Sequence, residues 1–451
     1  MEPRSVAHDR LVLTGTALQL LSRVLTAVCS ASAVVVIGRH LGDERFGRFN
    51  YYFNCFLIVG ALVDFGSMAI AVREITREPT REAEIVRAAF RIRLGTVVAG
   101  IVALVAVAWR KEGGLAAAVL PLAAALHLLP VAPNITAASL QARVRYAAIG
   151  AAPLLGFLLY FLVARTLAAN GVQDPGWFVV AFALALLTQA ALPWLLLRRR
   201  VALWGPVAPV RVGALLRAMV PLGLSAALST LYFRLDALLL NEFHGDVANG
   251  RWAKTFPLLS FGIALPSYLG AALFPALTRA AARGPAPLLA LVRRGTAVLA
   301  AFALPVVAFA FLFGGQLLWL FWARRGGVEP LPEFVAAHAD LLRCMPLLAL
   351  SALAIFLTIP QMHALTACGR QRSLLLVTAA ALAVKWFAGG ELIRAHGVVG
   401  AAWGTLLTEG FVLLAVSFEL RRATGGTIVA RGLLRPLLAA AGVAAVAWPL
   451  R

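Results

Sequence analysis

Leu41-Gly42-Asp43-Glu44-Arg45-Phe46-Gly47-Arg48-Phe49 and His244-Gly245-Asp246-Val247-Ala248-Asn249-Gly250-Arg251-Trp252 carry one signature, G-D-x-x-x-G-R followed by an aromatic, 203 residues apart. Each lies between two long apolar runs, so each reads as a short turn joining two helices, its leading glycine supplying a positive φ. A weaker echo links Ser139-Leu140-Gln141-Ala142 with Ala364-Leu365-Thr366-Ala367, each just ahead of a basic turn. The chain therefore reads as two halves of common design.

Of the 451 residues, 61% are hydrophobic and 14% charged, whereas a soluble domain is about 45–50% apolar and about 25% charged. No soluble globule of this length hides so much apolar surface, so the bilayer is the solvent. A helix crosses the hydrocarbon with about 20 apolar residues. Such runs fall near 14–37, 49–72, 90–109, 116–139, 146–168 and 176–197, then 212–240, 252–275, 293–322, 338–364, 371–394 and 398–420, with a shorter thirteenth at 432–449. Arg4 and Arg10 before Ala31-Ser32-Ala33 suggest a signal peptide, but Arg23 interrupts the apolar run, which is read as the first span. Six spans separate the repeated signatures, an even number, so both halves insert in the same direction, a plan found in transporters.

The expected fold is thus an all-α polytopic membrane protein: two parallel-repeat six-helix lobes around a central cavity, plus a C-terminal helix. The lobes are placed at 1–203 and 212–422, joined by a linker at 204–211, with the additional helix in 423–451. The formal charge is +21. Alternate connections carry 25 basic residues on the N-terminal side and 12 on the other, which predicts a cytoplasmic N-terminus.

Several classes drop out. The basic residues sit in short connections without an aromatic-studded basic domain, so nucleic acid is not an expected partner. Cys29, Cys55, Cys344 and Cys368 are scattered without C-x-x-C spacing, so neither a disulfide nor a metal site is expected. No connection is long enough for a catalytic domain, so neither an enzyme nor a cofactor is expected.

Four basic residues fall inside spans: Arg23, Arg234, Lys254 and Lys385. A charge at that depth costs about 2.5–3.5 kcal/mol on insertion scales and usually faces a bundle interior or a watery cavity. The four are read as the lining of a cationic, substrate-binding cavity suited to an anionic headgroup such as pyrophosphate; Arg234 and Lys254 have snorkelling to the interface as an equal alternative. Asp64, Asp236 and Glu409 are candidate coupling or counter-ion groups, Glu409 for Lys385 and Asp64 for Arg73, with backbone capping as the alternative for Asp64. Gln19 and Asn54 are candidate polar lining, and His127 and His363 read as packing residues. Gly42, Asp43, Gly47, Arg48, Gly245, Asp246, Gly250 and Arg251 form the repeated turn.

Ser22-Arg23, Gly38-Arg39-His40-Leu41-Gly42 and Phe46-Gly47-Arg48-Phe49 resemble the opening of polysaccharide-biosynthesis flippases, which begin with an Arg in the first span and an A-R-x-L-G-x-x-x-[FY]-G-x-[FY] run. Leu62-Val63-Asp64-Phe65-Gly66 with Arg73-Glu74 is similar to that family's D-x-G … R-E. Tyr232-Phe233-Arg234-Leu235-Asp236-Ala237-Leu238-Leu239-Leu240 resembles its Y-x-x-x-D-x-x-L-L, and Leu273-Phe274-Pro275-Ala276-Leu277-Thr278 its L-x-P-x-L-[ST]. Gly38 stands where the family usually has Ala, and its relatives often have fourteen spans rather than thirteen.

The resemblance places the chain in the multidrug/oligosaccharidyl-lipid/polysaccharide exporter superfamily. It implies alternating access by two six-helix lobes and movement of a polyprenyl-pyrophosphate-linked glycan to the outer leaflet of a bacterial cytoplasmic membrane. Expected partners are that glycan, membrane lipids, and polysaccharide polymerase or glycosyltransferase proteins. Two rival functions stand beside it: a multidrug or cation antiporter, which needs cavity carboxylates, and a membrane glycosyltransferase or ligase, which needs a large catalytic loop.

Overall fold

The computed structural model describes residues 3–112, 125–143, 146–199, 203–323 and 330–426. The thirteenth apolar run and the side chains of Gln19 and His127 lie outside that description. Every regular element among the described residues is helical: α1 (Pro3–Asp64), α2 (Ser67–Arg77), α3 (Glu82–Glu112), α4 (Ala137–Ala142), α5 (Tyr146–Ala169), α6 (Pro175–Leu197), α7 (Pro209–Ala282), α8 (Pro285–Trp322), α9 (Leu331–Ala337), α10 (Ala339–Ala367), α11 (Gln371–Val384) and α12 (Gly390–Thr424). Among them, 8 helical stretches are long and apolar enough to cross a membrane.

That number is smaller than the count of apolar runs because three pairs of neighbouring runs are continuous across glycine kinks, and the runs at 116–139 and 432–449 lie partly or wholly outside the described residues. In α1 the break is Gly42 (φ 74°, ψ 176°), in α7 it is Gly245 (φ 75°, ψ −170°), and in α12 it is Gly397 (φ 56°, ψ −129°). The first two conformations lie in a region essentially restricted to glycine. One departure concerns the run at 116–139. Over its described part the chain forms two 3₁₀ segments, Leu126–Val131 and Pro133–Thr136, before the short α4. Pro130 lies inside the first and Pro133 opens the second, and a proline removes a backbone donor that a continuous α-helix needs.

The weaker echo is also structural. Helix α4 ends at Ala142 and α10 at Ala367, and the next residues, Arg143 (φ −88°, ψ 6°) and Cys368 (φ −82°, ψ 2°), cap them in the same conformation. Arg143 also reaches back to Glu82 at the start of α3, and that hydrogen bond holds its guanidinium above its ordinary pKa.

The chain divides into two compact units, Met1–Thr230 and Leu231–Arg451, the division falling inside α7. In the first unit, α1 packs on α5, α5 on α6, and α3 beside α1; in the second, α10 packs on α8 and α12. Large apolar side chains stay exposed along these helices. On α8, Val298, Phe302, Val306 and Phe309 recur at helical spacing on one exposed face, as a lipid-facing surface requires. All four cysteines are free.

Candidate functional site

Helix α7 carries Tyr232 and Asp236 four residues apart, hence on one face, and α12 carries Thr405 and Glu409 at the same spacing. Between them in sequence, the chain makes one π-helical turn, Lys385–Gly389, linking α11 to α12. Its first residue points inward: Lys385 is 1% exposed, whereas Trp386 and Phe387 are 53% and 71% exposed. Gly389 and Gly404 let this turn pack against α12, since a Cβ on Gly404 would sit 3.0 Å from the Gly389 Cα.

Five side chains of the second unit meet there. The Lys385 Nζ lies 2.7 Å from Asp236 Oδ2, with both side chains almost fully buried. Thr405 donates its hydroxyl to the same oxygen at 3.0 Å. Tyr232 donates its hydroxyl to Glu409 Oε1 at 2.7 Å, and its ring lies 4.7 Å from the lysine ammonium. Asp236 Oδ1 is buried without a hydrogen-bond partner among the described residues. The cluster therefore sets two carboxylates against one ammonium.

Two of the sequence assignments change in geometry. Lys385 takes Asp236, not Glu409, as its ion-pair partner, because Asp236 faces the π turn while Glu409 accepts from Tyr232. Asp64 pairs with Arg93, while Arg73 pairs with Glu74 next to it. Arg93, near the start of the third apolar run, lies in α3 at 1% exposure. It donates to Ser67, to the Val131 carbonyl at 2.9 Å and to Asp64. It thereby fixes the break at Phe65 and Gly66, both at positive φ, to the 3₁₀ segment.

The other three expected cations differ in burial. Lys254 is buried and its carbonyl accepts the Trp322 indole N–H at 2.9 Å. Arg234 is half-buried, and Arg23, in the first unit, is exposed. Asn54 is buried and donates to the Asn50 carbonyl at 2.7 Å. His363 packs against Phe274 at 5.8 Å between ring centroids.

The repeated turn is closed in both units by a histidine that the sequence reading passed over. His40 Nε2 lies 2.7 Å from the Val172 carbonyl, and His244 Nε2 lies 2.7 Å from that of Ile393. Each histidine follows the first apolar run of its half; Val172 lies in the connection between the fifth and sixth runs, and Ile393 at the end of the eleventh, four residues before the Gly397 kink. Past the kinks, Gly47 and Gly250 are both buried, and Phe49 and Trp252 are both 2% exposed. Arg251 donates to Asp340 at 2.9 Å; Arg45 donates to Gln173; Asn241 donates to Asp246 at 2.6 Å.

This architecture is shared with solved transporters. The chain matches a multidrug resistance MATE family transporter of the MOP superfamily in an inward-facing conformation, with a TM-score of 0.70 at 15% identity over 94% of this chain and 98% of that one. It matches the lipid II flippase MurJ in an inward closed conformation, with a TM-score of 0.75 at 10% identity over 97% and 93%. A third match is a MOP superfamily transporter from Pyrococcus furiosus described as having a binding pocket of reverse polarity, with a TM-score of 0.59 at 15% identity over 96% and 94%. At such identities the likeness speaks for the fold alone. A search of curated proteins returns no match.

The multi-pass helical fold is the one that these solved transporters have. Residues 12–281 match the polysaccharide biosynthesis protein family, and the chain belongs to it.

Proposed function

We propose that this protein is a flippase that carries a polyprenyl-pyrophosphate-linked oligosaccharide from the cytoplasmic to the outer leaflet by alternating access, for cell-surface polysaccharide synthesis. The membrane is the bacterial cytoplasmic membrane, with the N-terminus in the cytoplasm, and the lobes are the halves proposed from the repeat, 1–203 and 212–422. Polymerase or glycosyltransferase proteins would act beside it.

The observation that carries this reading is the family match over residues 12–281. The charge pattern supports it: spans that hold Arg23, Arg234, Lys254 and Lys385 suit an anionic headgroup. Arginine grips phosphate through a planar fork and lysine as a compact charge. Replacing Arg23 or Lys385 by Ala is expected to abolish surface-glycan export while the protein still inserts. Normal export in both variants would remove the cationic residues from the mechanism.

A multidrug or cation antiporter is the second reading, favoured by the likeness to MATE transporters and by the carboxylates Asp236 and Glu409. Drug resistance on overexpression, lost in Glu409→Ala, would support it over the first.

A further inference from the structure

The Lys385–Asp236 pair is built in a way that stability alone does not explain. A buried ion pair offsets its desolvation only when the geometry is good and the remaining polar atoms are satisfied. Here one carboxylate oxygen takes both the ammonium and the Thr405 hydroxyl, while the other is buried without a hydrogen bond among the described residues. The lysine stands at the start of a π turn, a feature often found at functional positions. Its four-carbon stem is flexible, and the Tyr232 ring at 4.7 Å gives the ammonium a second favourable surface.

We propose that Asp236 holds the place of a substrate phosphate on Lys385, so that the carboxylate and an anionic pyrophosphate headgroup compete for one ammonium. The inference rests on the flippase reading, which supplies the headgroup. In the conformation described here the ammonium belongs to Asp236. When a pyrophosphate arrives, the lysine turns to it, and Asp236 keeps only Thr405. The cost of leaving that carboxylate without its cation is then set against binding, which keeps the headgroup releasable. Transport needs this balance, because a site that binds too firmly does not let its cargo leave. Lys385 is thus a binding residue, and Asp236 is a positioning residue that limits affinity through it.

The test uses the full-length protein in lipid nanodiscs, with farnesyl pyrophosphate as probe and farnesol as its uncharged counterpart. Asp236→Asn is expected to bind farnesyl pyrophosphate about tenfold more tightly than the unaltered chain, and farnesol equally. Lys385→Gln is expected to bind the pyrophosphate weakly, and the double variant to behave like Lys385→Gln alone. In a glycan-export assay Asp236→Asn is expected to slow turnover despite its tighter binding.

The chain has three lysines, Lys111, Lys254 and Lys385, so the unaltered protein offers an independent readout if Asp236→Asn does not fold. With lysine side chains isotopically labelled, the Lys385 signal, assigned by its loss in Lys385→Arg, is expected to shift with farnesyl pyrophosphate and not with farnesol. Binding of the pyrophosphate without that shift, or unchanged affinity in Asp236→Asn, overturns the competition and leaves the flippase reading standing. No preference of the unaltered protein for farnesyl pyrophosphate over farnesol overturns both.

Discussion

Gly42 and Gly245, 203 residues apart, hold nearly the same backbone conformation, with φ of 74° and 75° and extended ψ. A Cβ built on either would meet nothing within 4 Å. Replacement by alanine therefore costs backbone strain rather than a clash, about 1–3 kcal/mol at each site. Thermal unfolding in detergent should show both single variants destabilised by similar amounts. Gly410, in a helical stretch with equal space around it, is the comparison: Gly410→Ala should be neutral or gain up to about 1 kcal/mol.

The Arg93–Asp64 pair is asymmetric, with side chains 1% and 38% exposed. Removing Asp64 strands a buried guanidinium, whereas removing Arg93 leaves a carboxylate at the end of α1 that keeps some access to its surroundings. Asp64→Ala should thus cost about 3–5 kcal/mol, the range for a buried pair broken from one side, and Arg93→Met should cost less. A thermal-stability series is the check, with the double variant predicted to lie above Asp64→Ala.

The Tyr232 hydroxyl is a donor to the buried Glu409. Tyr232→Phe keeps the ring beside Lys385 but leaves the carboxylate oxygen without that donor, at a cost of about 1–3 kcal/mol. Combining it with Glu409→Leu removes both polar partners and should recover much of the loss. Unfolding midpoints of the two variants decide this.

His40 and His244 each hold a carbonyl near the junction of the fifth and sixth spans of their own half. His40→Ala should raise amide hydrogen exchange around Val172, and His244→Ala around Ile393, each leaving the other unit unchanged. Exchange that spreads equally through both units would argue against local clasps.

The sequence made the membrane class and the two repeated kinks readable, because composition and a positive-φ glycine are local signals. Neighbouring spans looked separate because a glycine kink interrupts hydrophobicity without ending the helix. The 3₁₀ stretch at 126–136 was hidden in an apolar run, because Pro130 and Pro133 break the helical pattern without interrupting its hydrophobicity. Of the buried cluster, Lys385, Asp236 and Glu409 stood out as costly charges, and the Y-x-x-x-D spacing was visible in α7. Their pairing was not: which carboxylate meets the lysine depends on a π turn that shifts its face, and no periodicity announces it. The burial of Arg93 was not legible, because a charge near a span's end reads like part of a connection until its buried acceptors are known.

The central claim is that a lipid-linked glycan crosses the bilayer through this protein. The most direct measurement places purified protein in liposomes whose polyprenyl-pyrophosphate-linked oligosaccharide starts in the inner leaflet, and follows its capture by an external lectin. The account predicts protein-dependent arrival of the glycan outside, abolished by Lys385→Ala and by Arg23→Ala. Arrival no faster than in protein-free liposomes, from vesicles that instead exchange organic cations, would contradict it.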